Sequence, residues 1–462
     1  MSGSILFVNS YAEPNPIGSN NTPVAAAIAL QKAGYSLEML TLSSDPSWRG
    51  PVPDESSPLL AGIPHIRILR EGIRYIVVSP PAVWGDRYPL ENEWNASVSW
   101  AINALKELKP LLVHQWVWQQ LSYFMNASVR LKIPTVYSAQ DYGLACQRTF
   151  LLTGKDKVCN SVVGLDKCSR CVYEGRSWLG RMNELVANNP IACSILKFFY
   201  GVDGQGFLAK RNGVRSPLTL RTQLALSRCE EIMTGLQALQ VSSSLGRDLF
   251  KQFGVKEECV YEFPWFHDHM NLCEKLPSLT NSLVIAYIGR IAPYKGIEVL
   301  MESMKYVNSK HPITLKIVGE IDSEYGYSLK NKYGDQFSHH NVEWVGWIKG
   351  EDMKDFFAEV HATIIPSICP ETGPRTLIES LAHLRPVICT DLPSMNDLIK
   401  DGVNGMLFTV GDVMDLSNKI QLLADSPGLL EKLASNINHA PSLDNFSHNL
   451  QNIYINIFNK CD

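Results

Sequence analysis

The sequence predicts an α/β protein with two domains, each built around a parallel β-sheet that helices cover. The chain has 462 residues, which is more than one ordinary α/β domain needs and comfortable for two. Short apolar, β-type runs alternate with helical patterns through most of both halves. Hydrophobic residues make up 45% of the chain, so two large buried cores are feasible.

The N-terminal half, residues 1–280, supplies the first set of alternating elements. A helix of small residues is expected over residues 23–32, and the alternation stops between about residues 143 and 225. That stretch is rich in cysteine, glycine and basic residues, and we interpret it as an insertion in the first domain. The runs that predict strands before it are ILFVN, SLEMLTL, YIVVS, LLVHQ and PTVYSAQ.

The second domain is expected over residues 281–445. Helical spacing of Leu450, Ile453 and Ile457 predicts a last helix over residues 446–462, which we expect to pack back on the N-terminal domain. The strand-like runs of the second domain are SLVIAYIGR, TLKIVGE, VEWVGW, ATIIPS, PVICT and GMLF.

Charge and hydropathy narrow the class of function. The net charge of −4 argues against a nucleic-acid binder that works through general basicity. The first residues lack a basic n-region, and no run of 18 apolar residues occurs, so we expect a cytoplasmic protein. Aromatic and basic residues mix over residues 197–221, which suits peripheral contact with the inner membrane or an ordinary helix with solvated charges.

Two cations follow the first strand of the second domain. Arg290 and Lys295 lie in the sequence GRIAPYKG, which leads from a strand into a helix. Ligands of such folds bind beyond the carboxyl ends of the parallel strands. A guanidinium fork and a compact ammonium at this place can clamp a diphosphate; the alternative is two solvated surface cations.

Two carboxylates flank the start of a later helix. Glu371 precedes the helix and Glu379 lies two turns inside it, while Pro374 suits its first turn. Carboxylates accept hydrogen bonds from sugar and ribose hydroxyls, and the helix N-terminus attracts a phosphate or a sugar oxygen. Arg375 opposes the helix dipole, so it pairs with Glu371, reaches an anionic ligand, or is simply solvated.

These segments resemble the donor domain of the family-four retaining glycosyltransferases, also called glycosyltransferase group 1. The resemblance covers residues 286–425, and several motifs occur in the family's order. The motifs stand here as Gly289-Arg290, Lys295-Gly296, Pro366-Ser367, Glu371 and Glu379 with seven residues between them, Pro386-Val387, and Asp401-Gly402 with Gly405.

The resemblance implies the GT-B fold, in which two Rossmann-like domains with parallel sheets face each other. It implies a metal-independent transferase that moves a sugar from a nucleoside-diphosphate donor with retention, to a glycan, a lipid-linked acceptor or another glycoconjugate, as in polysaccharide biosynthesis. Arg290 and Lys295 would hold the diphosphate, and Glu371 would bind the transferred sugar. It also places the backbone of Thr372 and Gly373 at the sugar, Glu379 at the ribose, and Gly346 and Trp347 beside the base. The loop with Gly18 would face the donor phosphates. Gly319 at a strand end, and Pro374 and Arg375 at the helix start, complete the expected donor site.

The N-terminal half departs from the family at one position. Members commonly carry a histidine after a mid-domain strand, where this chain has Gln140. Glutamine cannot exchange a proton, so either no protein group carries one or another side chain substitutes, with His114 as the candidate. A structural role for His114 is the alternative. We favour front-face attack by the acceptor hydroxyl, with the leaving phosphate taking the proton, as the resemblance implies.

Other functions remain open from the sequence. A degenerate homologue could bind sugar nucleotides and act as a scaffold, for which Gln140 is the best support. A phosphorylase or epimerase on the same architecture needs further phosphate-binding or acid–base residues, which the sequence does not place.

Four cysteines crowd into the insertion. Cys146, Cys159, Cys168 and Cys171 fall within 26 residues, and the last two have the Cys-x2-Cys spacing of a metal knuckle. We expect a structural zinc site here; an iron–sulfur cluster, a redox pair or reduced buried thiols are the alternatives.

Overall fold

The computed structural model describes most of the chain, and every structural statement below concerns these residues. They are residues 3–10, 21–42, 52–78, 91–116, 121–146, 148–153, 157–159, 163–174, 218–267, 272–273, 275–279, 282–321, 323–333, 337, 340–438 and 440–460.

The chain forms two compact units. The first comprises Met1–Val241, Gly246–Glu262 and Asn449–Asp462, and the second comprises Ser242–Leu245 and Phe263–His448. The sequence placed the boundary at residue 281, because residues 263–280 show little strand pattern. In the structure the rings of Trp265 and Phe266 pack on Phe446, which joins this segment to the second unit.

The first unit contains a nine-stranded sheet in the order β3-β4-β5-β2-β1-β6-β7-β8-β9 among its described residues. Each of the five strands expected from the sequence is present. In chain order the strands are β1 (Ile5–Val8), β2 (Leu37–Leu42), β3 (Leu59–Leu60), β4 (Ile63–Arg70), β5 (Ile73–Val78), β6 (Leu112–Gln115), β7 (Thr135–Ser138), β8 (Ala238–Val241) and β9 (Val260–Glu262).

One edge of this sheet was not predicted. Strand β4 runs antiparallel to β5 and to β3, whereas β5, β2, β1 and β6 to β9 are parallel. The β4–β5 connection is a tight turn in which Glu71 and Gly72 both have positive φ, 47° and 80°. Strands β1 and β6 pair near the centre of the sheet. The strand order reverses there, because β2 lies on one side of β1 and β6 on the other.

Helices cover the first sheet and bury apolar side chains against it. Trp100 and Ala104 of the second helix belong to the same cluster as Leu6, Val8 and Val113 of the strands. Burying one such large side chain contributes roughly 1.5–3 kcal/mol. The described helices are α1 (Asn21–Lys32), α2 (Glu91–Leu108), α3 (Tyr123–Arg130), α4 (Leu165–Glu174), α5 (Leu218–Gly235) and α6 (Ser244–Lys251).

The second unit contains a six-stranded, fully parallel sheet in the order β12-β11-β10-β13-β14-β15 among its described residues. Each strand expected from the sequence is present. The strands are β10 (Leu283–Ile288), β11 (Ile313–Val318), β12 (Asn341–Gly346), β13 (Ala362–Ile365), β14 (Val387–Thr390) and β15 (Gly405–Phe408).

The helices of the second unit enclose its main core. Leu300 and Met301 pack with Ile317 of the sheet and with Leu423 of a later helix. The helices are α7 (Ile297–Met304), α8 (Glu324–Tyr333), α9 (Met353–Glu359), α10 (Arg375–Ala382), α11 (Pro393–Asn396), α12 (Val413–Asp425) and α13 (Pro427–Ser435). The last helix, α14 (Leu443–Asn459), belongs to this unit only as far as His448.

The last helix, α14, has a buried contact with the first sheet. Its residues from Asn449 onward belong to the first unit. There the hydroxyl of Tyr454 lies 2.6 Å from Nδ1 of His114 on β6, and both side chains are fully buried.

Candidate donor site in the second unit

The candidate site lies at the point where the strand order of the second sheet reverses. Strand β10 is the first strand of this unit, and it lies between β11 and β13. After β10 the chain forms β11 and β12 on one side of it and then crosses to β13 on its other side. This reversal of strand order opens a crevice at the carboxyl ends of β10 and β13. The two motifs singled out from the sequence follow these two strands directly.

The loop after β10 carries both predicted cations. Tyr287 donates from its hydroxyl to the carbonyl of Arg290 at 2.7 Å, and Arg290 donates from Nη1 to the hydroxyl of Tyr294 at 2.9 Å. A 3₁₀ turn, Pro293–Lys295, then leads into α7 through Gly296. Two tyrosines therefore shape the loop that presents Arg290 and Lys295, and Tyr294 is a contact that the sequence motif did not reveal.

Gly296 lets this loop approach the segment after β13. Its φ is 68°, and a Cβ placed on it would lie 1.8 Å from the carbonyl oxygen of Pro366. The amide of Ile368 also donates to the carbonyl of Tyr294 at 3.0 Å. The close approach brings the cation loop and the Pro-Ser segment side by side.

Lys295 and Glu371 meet directly in this crevice. Nζ of Lys295 lies 2.7 Å from Oε2 of Glu371, and their side chains are 25% and 13% exposed. Ser367 donates a short hydrogen bond from Oγ to Oε1 of the same carboxylate. Burial lowers the pKa of Lys295, but the charge and hydrogen bond of Glu371 outweigh burial and raise it above its ordinary value. The lysine is therefore a cation at neutral pH. Ser367, which the sequence named only as part of the Pro-Ser motif, is a site residue through its hydrogen bond to Glu371.

The start of α10 is fixed from two sides. Pro374 is its N-cap, in extended conformation, and Leu377 and Leu381 are buried as expected. Trp265 donates from Nε1 to the carbonyl of Thr372 at 2.8 Å, and Thr376 donates from Oγ1 to the carbonyl at the end of β10, Ile288, at 3.1 Å. The N-terminus of α10 is thereby held beside the end of β10, where its N–H groups favour an anion.

Two charged residues of α10 form an ion pair. Nε of Arg375 lies 3.7 Å from Oε1 of Glu379, and their side chains are 22% and 16% exposed. The sequence suggested Glu371 as a partner of Arg375, whereas the ion pair described here is with Glu379, inside the helix. Gly373, next to Thr372, has φ 107°, and a Cβ there would lie 3.0 Å from Trp265.

The predicted glycines at the other strand ends are in backbone contact. A Cβ on Gly319 would lie 2.2 Å from the carbonyl oxygen of Gly289, and the amide of Gly319 donates to the carbonyl of Gly346 at 2.9 Å. Trp347 follows β12 and is 64% exposed. The ends of β10, β11 and β12 thus form a continuous edge with an exposed indole at its end.

Several predicted residues belong to the first unit. Gly18 lies outside the described residues. Gln140 is partly buried two residues after β7, so it does follow a strand end. His114 lies within β6 and not after it, fully buried, with Nε2 2.9 Å from Oγ of Ser138 and Nδ1 on Tyr454. These contacts favour the structural role considered for His114 over proton transfer.

His114 should make the fold sensitive to acid. Burial lowers its pKa to about 3, whereas the unfolded residue titrates near 6.5. Between these values the unfolded chain binds a proton that the folded chain excludes, so stability is lost as pH falls below 6.5. Within this pH range the free energy of unfolding falls by up to about 1.4 kcal/mol for each pH unit.

The test is urea unfolding at several pH values between about 7.5 and 5. The variant His114→Gln is expected to lose less stability over this range than the wild type. His448→Gln, which changes an exposed histidine on α14, should follow the wild-type curve. Parallel curves for all three proteins would contradict the prediction.

The four cysteines of the insertion line one cavity of about 410 Å³ in the first unit. Burial raises the pKa of Cys146, and the nearby Cys159 and Cys171 raise it further. In the described part of the chain, no three His, Cys, Asp or Glu side chains are arranged to hold a metal ion.

Most of the aromatic and basic segment at residues 197–221 lies outside the described residues. Within the part that is described, no helix combines the length and the apolar character that crossing a bilayer requires.

Comparisons with known proteins bear on the family and the fold. Residues 271–440 match the family model for glycosyl transferases group 1. The capsular polysaccharide biosynthesis glycosyltransferase CapM of Staphylococcus aureus is 28% identical over 171 residues, which are 37% of this chain and 44% of CapM. The chain spans 40–59% of the length of the first curated relatives it matches.

Solved structures resemble the whole chain. Sucrose-phosphate synthase from Thermosynechococcus elongatus has a TM-score of 0.63 at 16% identity, covering 99% of this chain and 100% of the synthase. HepE of Anabaena in complex with UDP-glucose has a TM-score of 0.59 at 16% identity, covering 99% of this chain and 100% of HepE. At this identity the likeness concerns the fold, and it confirms the predicted GT-B class.

Proposed function

We propose that the chain is a retaining glycosyltransferase that uses a nucleoside-diphosphate sugar, because residues 271–440 match the family model for glycosyl transferases group 1. One observation carries the proposal: Lys295, Glu371 and Ser367 meet in the crevice between β10 and β13. A cation for the diphosphate and a carboxylate for the sugar are thus adjacent, although they lie 76 residues apart in the chain.

Lys295 can serve both groups at once. An ammonium has three N–H donors, so a contact with Glu371 leaves capacity for phosphate oxygens. As the nucleoside diphosphate departs, negative charge concentrates on its terminal phosphate. A cation that is already in place stabilises this charge more than water does, because it need not reorganise during the reaction.

The remaining donor-site residues take roles that fit their positions. Arg290 would bind the diphosphate with Lys295, and the N-terminus of α10, after Thr372 and Gly373, would face the sugar or phosphate. Glu379 would accept hydrogen bonds from the ribose once Arg375 turns toward an anionic group. Trp347 offers an exposed ring face on which a nucleobase can stack.

The proposed chemistry is front-face attack by an acceptor hydroxyl, with the leaving phosphate accepting the proton. This route needs no protein base. It suits a chain in which Gln140 cannot exchange a proton and His114 is buried with a pKa of about 3. Independence from a catalytic metal is part of the proposal.

The acceptor is proposed to be a glycan, a lipid-linked sugar or another glycoconjugate. The likeness to CapM, named for capsular polysaccharide biosynthesis, supports the polysaccharide class. The proposed place of action is the cytoplasm, with peripheral contact with the inner membrane when the acceptor is lipid-linked.

A panel of nucleoside-diphosphate sugars tests the donor assignment by thermal shift. A ligand that binds only the folded chain raises the free energy of unfolding by about 2.7 kcal/mol at a hundredfold excess over its Kd. Glu371→Gln should weaken the response to the sugar nucleotide more than to the free nucleoside diphosphate. Glu359→Gln, an exposed carboxylate of the same unit, is the matched control.

The selected donor is then offered to an acceptor library, and release of nucleoside diphosphate is followed with and without EDTA. We expect EDTA-insensitive release and an acceptor-linked sugar with the anomeric configuration of the donor, measured by NMR. Binding without any release or transfer would favour the scaffold alternative and contradict the enzyme proposal.

A further inference from the structure

The insertion of the first unit brings four thiols to one place. Cys146, Cys159, Cys168 and Cys171 all line the 410 Å³ cavity described above. The other described cysteines are absent from its lining. The cavity lies outside the donor site and belongs to a different unit.

Backbone contacts show how the thiols are gathered. A short antiparallel bridge joins Leu152 to Val158, and the amide of Cys159 donates to the carbonyl of Leu151 at 2.7 Å. The thiol of Cys171, on α4, lies 3.8 Å from the carbonyl of Leu152 in this hairpin. The hairpin that carries Cys159 and the helix α4 that carries Cys171 are therefore in contact.

Helix α4 supplies two of the four thiols. Cys168 and Cys171 lie three residues apart on it, so both side chains are on one face. Cys146 follows the turn after β7, where its amide donates to the carbonyl of Tyr142 at 2.7 Å. Three separate backbone segments thus converge on the cavity.

We propose that these four cysteines bind one structural zinc ion as thiolates. Zinc accepts four cysteine ligands in tetrahedral geometry, with Zn–S distances of about 2.3 Å. As the structure describes them, these side chains are not arranged to hold a metal ion, so zinc binding requires the four side chains to rearrange. Four thiols that already share one cavity make this a local movement of the hairpin and α4.

Charges around the cavity fit such a complex. One Zn²⁺ with four thiolates has a net charge of −2. The cavity lining includes the cations Arg148, Lys167 and Arg170 and the carboxylate of Asp166, which sum to +2. The surroundings therefore compensate the charge that zinc binding creates.

Zinc would also fix the segment that follows β7. Cys146 lies six residues after Gln140, and the turn between them is held by Asp141, whose Oδ1 accepts from the amide of Gly143 at 2.7 Å. A metal bound to Cys146 anchors the far end of this turn. The proposed acceptor-side residue Gln140 would then sit on a segment constrained at both ends, by β7 and by the metal.

The first test is metal content of the full chain purified without chelator. We expect about one zinc per chain, and less than about 0.2 in the double variant Cys168→Ser/Cys171→Ser. Cys259→Ser, a partly buried cysteine of the same unit outside the cavity, should keep the wild-type content. Cobalt substitution should give thiolate-to-metal charge-transfer absorption, which disappears in the double variant.

Three results would overturn the proposal. These are wild-type zinc below about 0.2 per chain, iron with the visible absorption of a cluster, and an intact mass that shows disulfides among these cysteines. Loss of zinc in Cys259→Ser would equally contradict the assignment of the ligands.

Hydrogen exchange checks the structural role without relying on activity or on variants. Removing zinc from the wild-type chain should increase exchange in residues 141–174, while β10 to β15 keep their protection. Uniform exchange in the zinc-loaded and zinc-free chains would rule out the anchoring role.

Discussion

Lys295→Ala is expected to lower kcat/KM for donor and acceptor by about 100- to 1000-fold, which corresponds to about 2.7–4 kcal/mol in the barrier. The ammonium is the cation placed beside both the carboxylate and the carboxyl end of β10, where the departing diphosphate is proposed to lie. Its removal leaves the developing charge without a preorganised partner. The measurement is steady-state release of nucleoside diphosphate.

Stability should change much less than turnover in this variant. Glu371 is only 13% exposed beside Lys295, so its carboxylate loses a close partner in the variant. Ser367 still donates a hydrogen bond to this carboxylate. Lys316→Ala is the matched control, because that lysine also lies in an ion pair of the same unit and is 16% exposed. Near-normal turnover in Lys295→Ala, or an equal loss in Lys316→Ala, would remove the assigned role.

Gly296→Ala is expected to have a large effect on both stability and turnover. The new Cβ would meet the carbonyl oxygen of Pro366, so the cation loop must move away from the segment after β13. Left-handed backbone adds a cost of about 1–2 kcal/mol for a residue with a Cβ. We expect the movement to separate Lys295 from Glu371 and to weaken donor binding.

Gly402→Ala separates the two causes. Its φ is 71°, close to the 68° of Gly296, but a Cβ there meets nothing within 4 Å. This variant should show the conformational cost alone, with turnover retained. Equal destabilisation in the two variants, measured by urea unfolding, would show that the approach to Pro366 contributes nothing.

Much of the fold could be read from local patterns. The runs that predicted strands in the second domain all form strands, because buried parallel strands are continuous apolar segments that end in glycine or polar residues. The antiparallel β3–β4 edge was missed. Its strand β4, IPHIRILR, is partly exposed and contains two arginines, so it lacks the apolar run that marked the others.

The candidate site was predictable residue by residue but not contact by contact. The motifs named Lys295 and Glu371 separately, and the fold brought them to 2.7 Å. No local pattern revealed that Ser367 donates to Glu371 or that Tyr294 holds Arg290. These contacts depend on a close backbone approach at Gly296, which only the packed loop defines.

The sequence by itself determined the α/β class, the order of strands in the chain, and the donor-site residue types, because periodicity and strand-end chemistry are local properties. The tertiary structure decided which of these residues meet. Tyr454, 340 residues from His114, closes over that histidine and makes it a buried neutral group. Such contacts arise from strand order and helix packing, and no local pattern in the chain encodes the distance between residues so far apart.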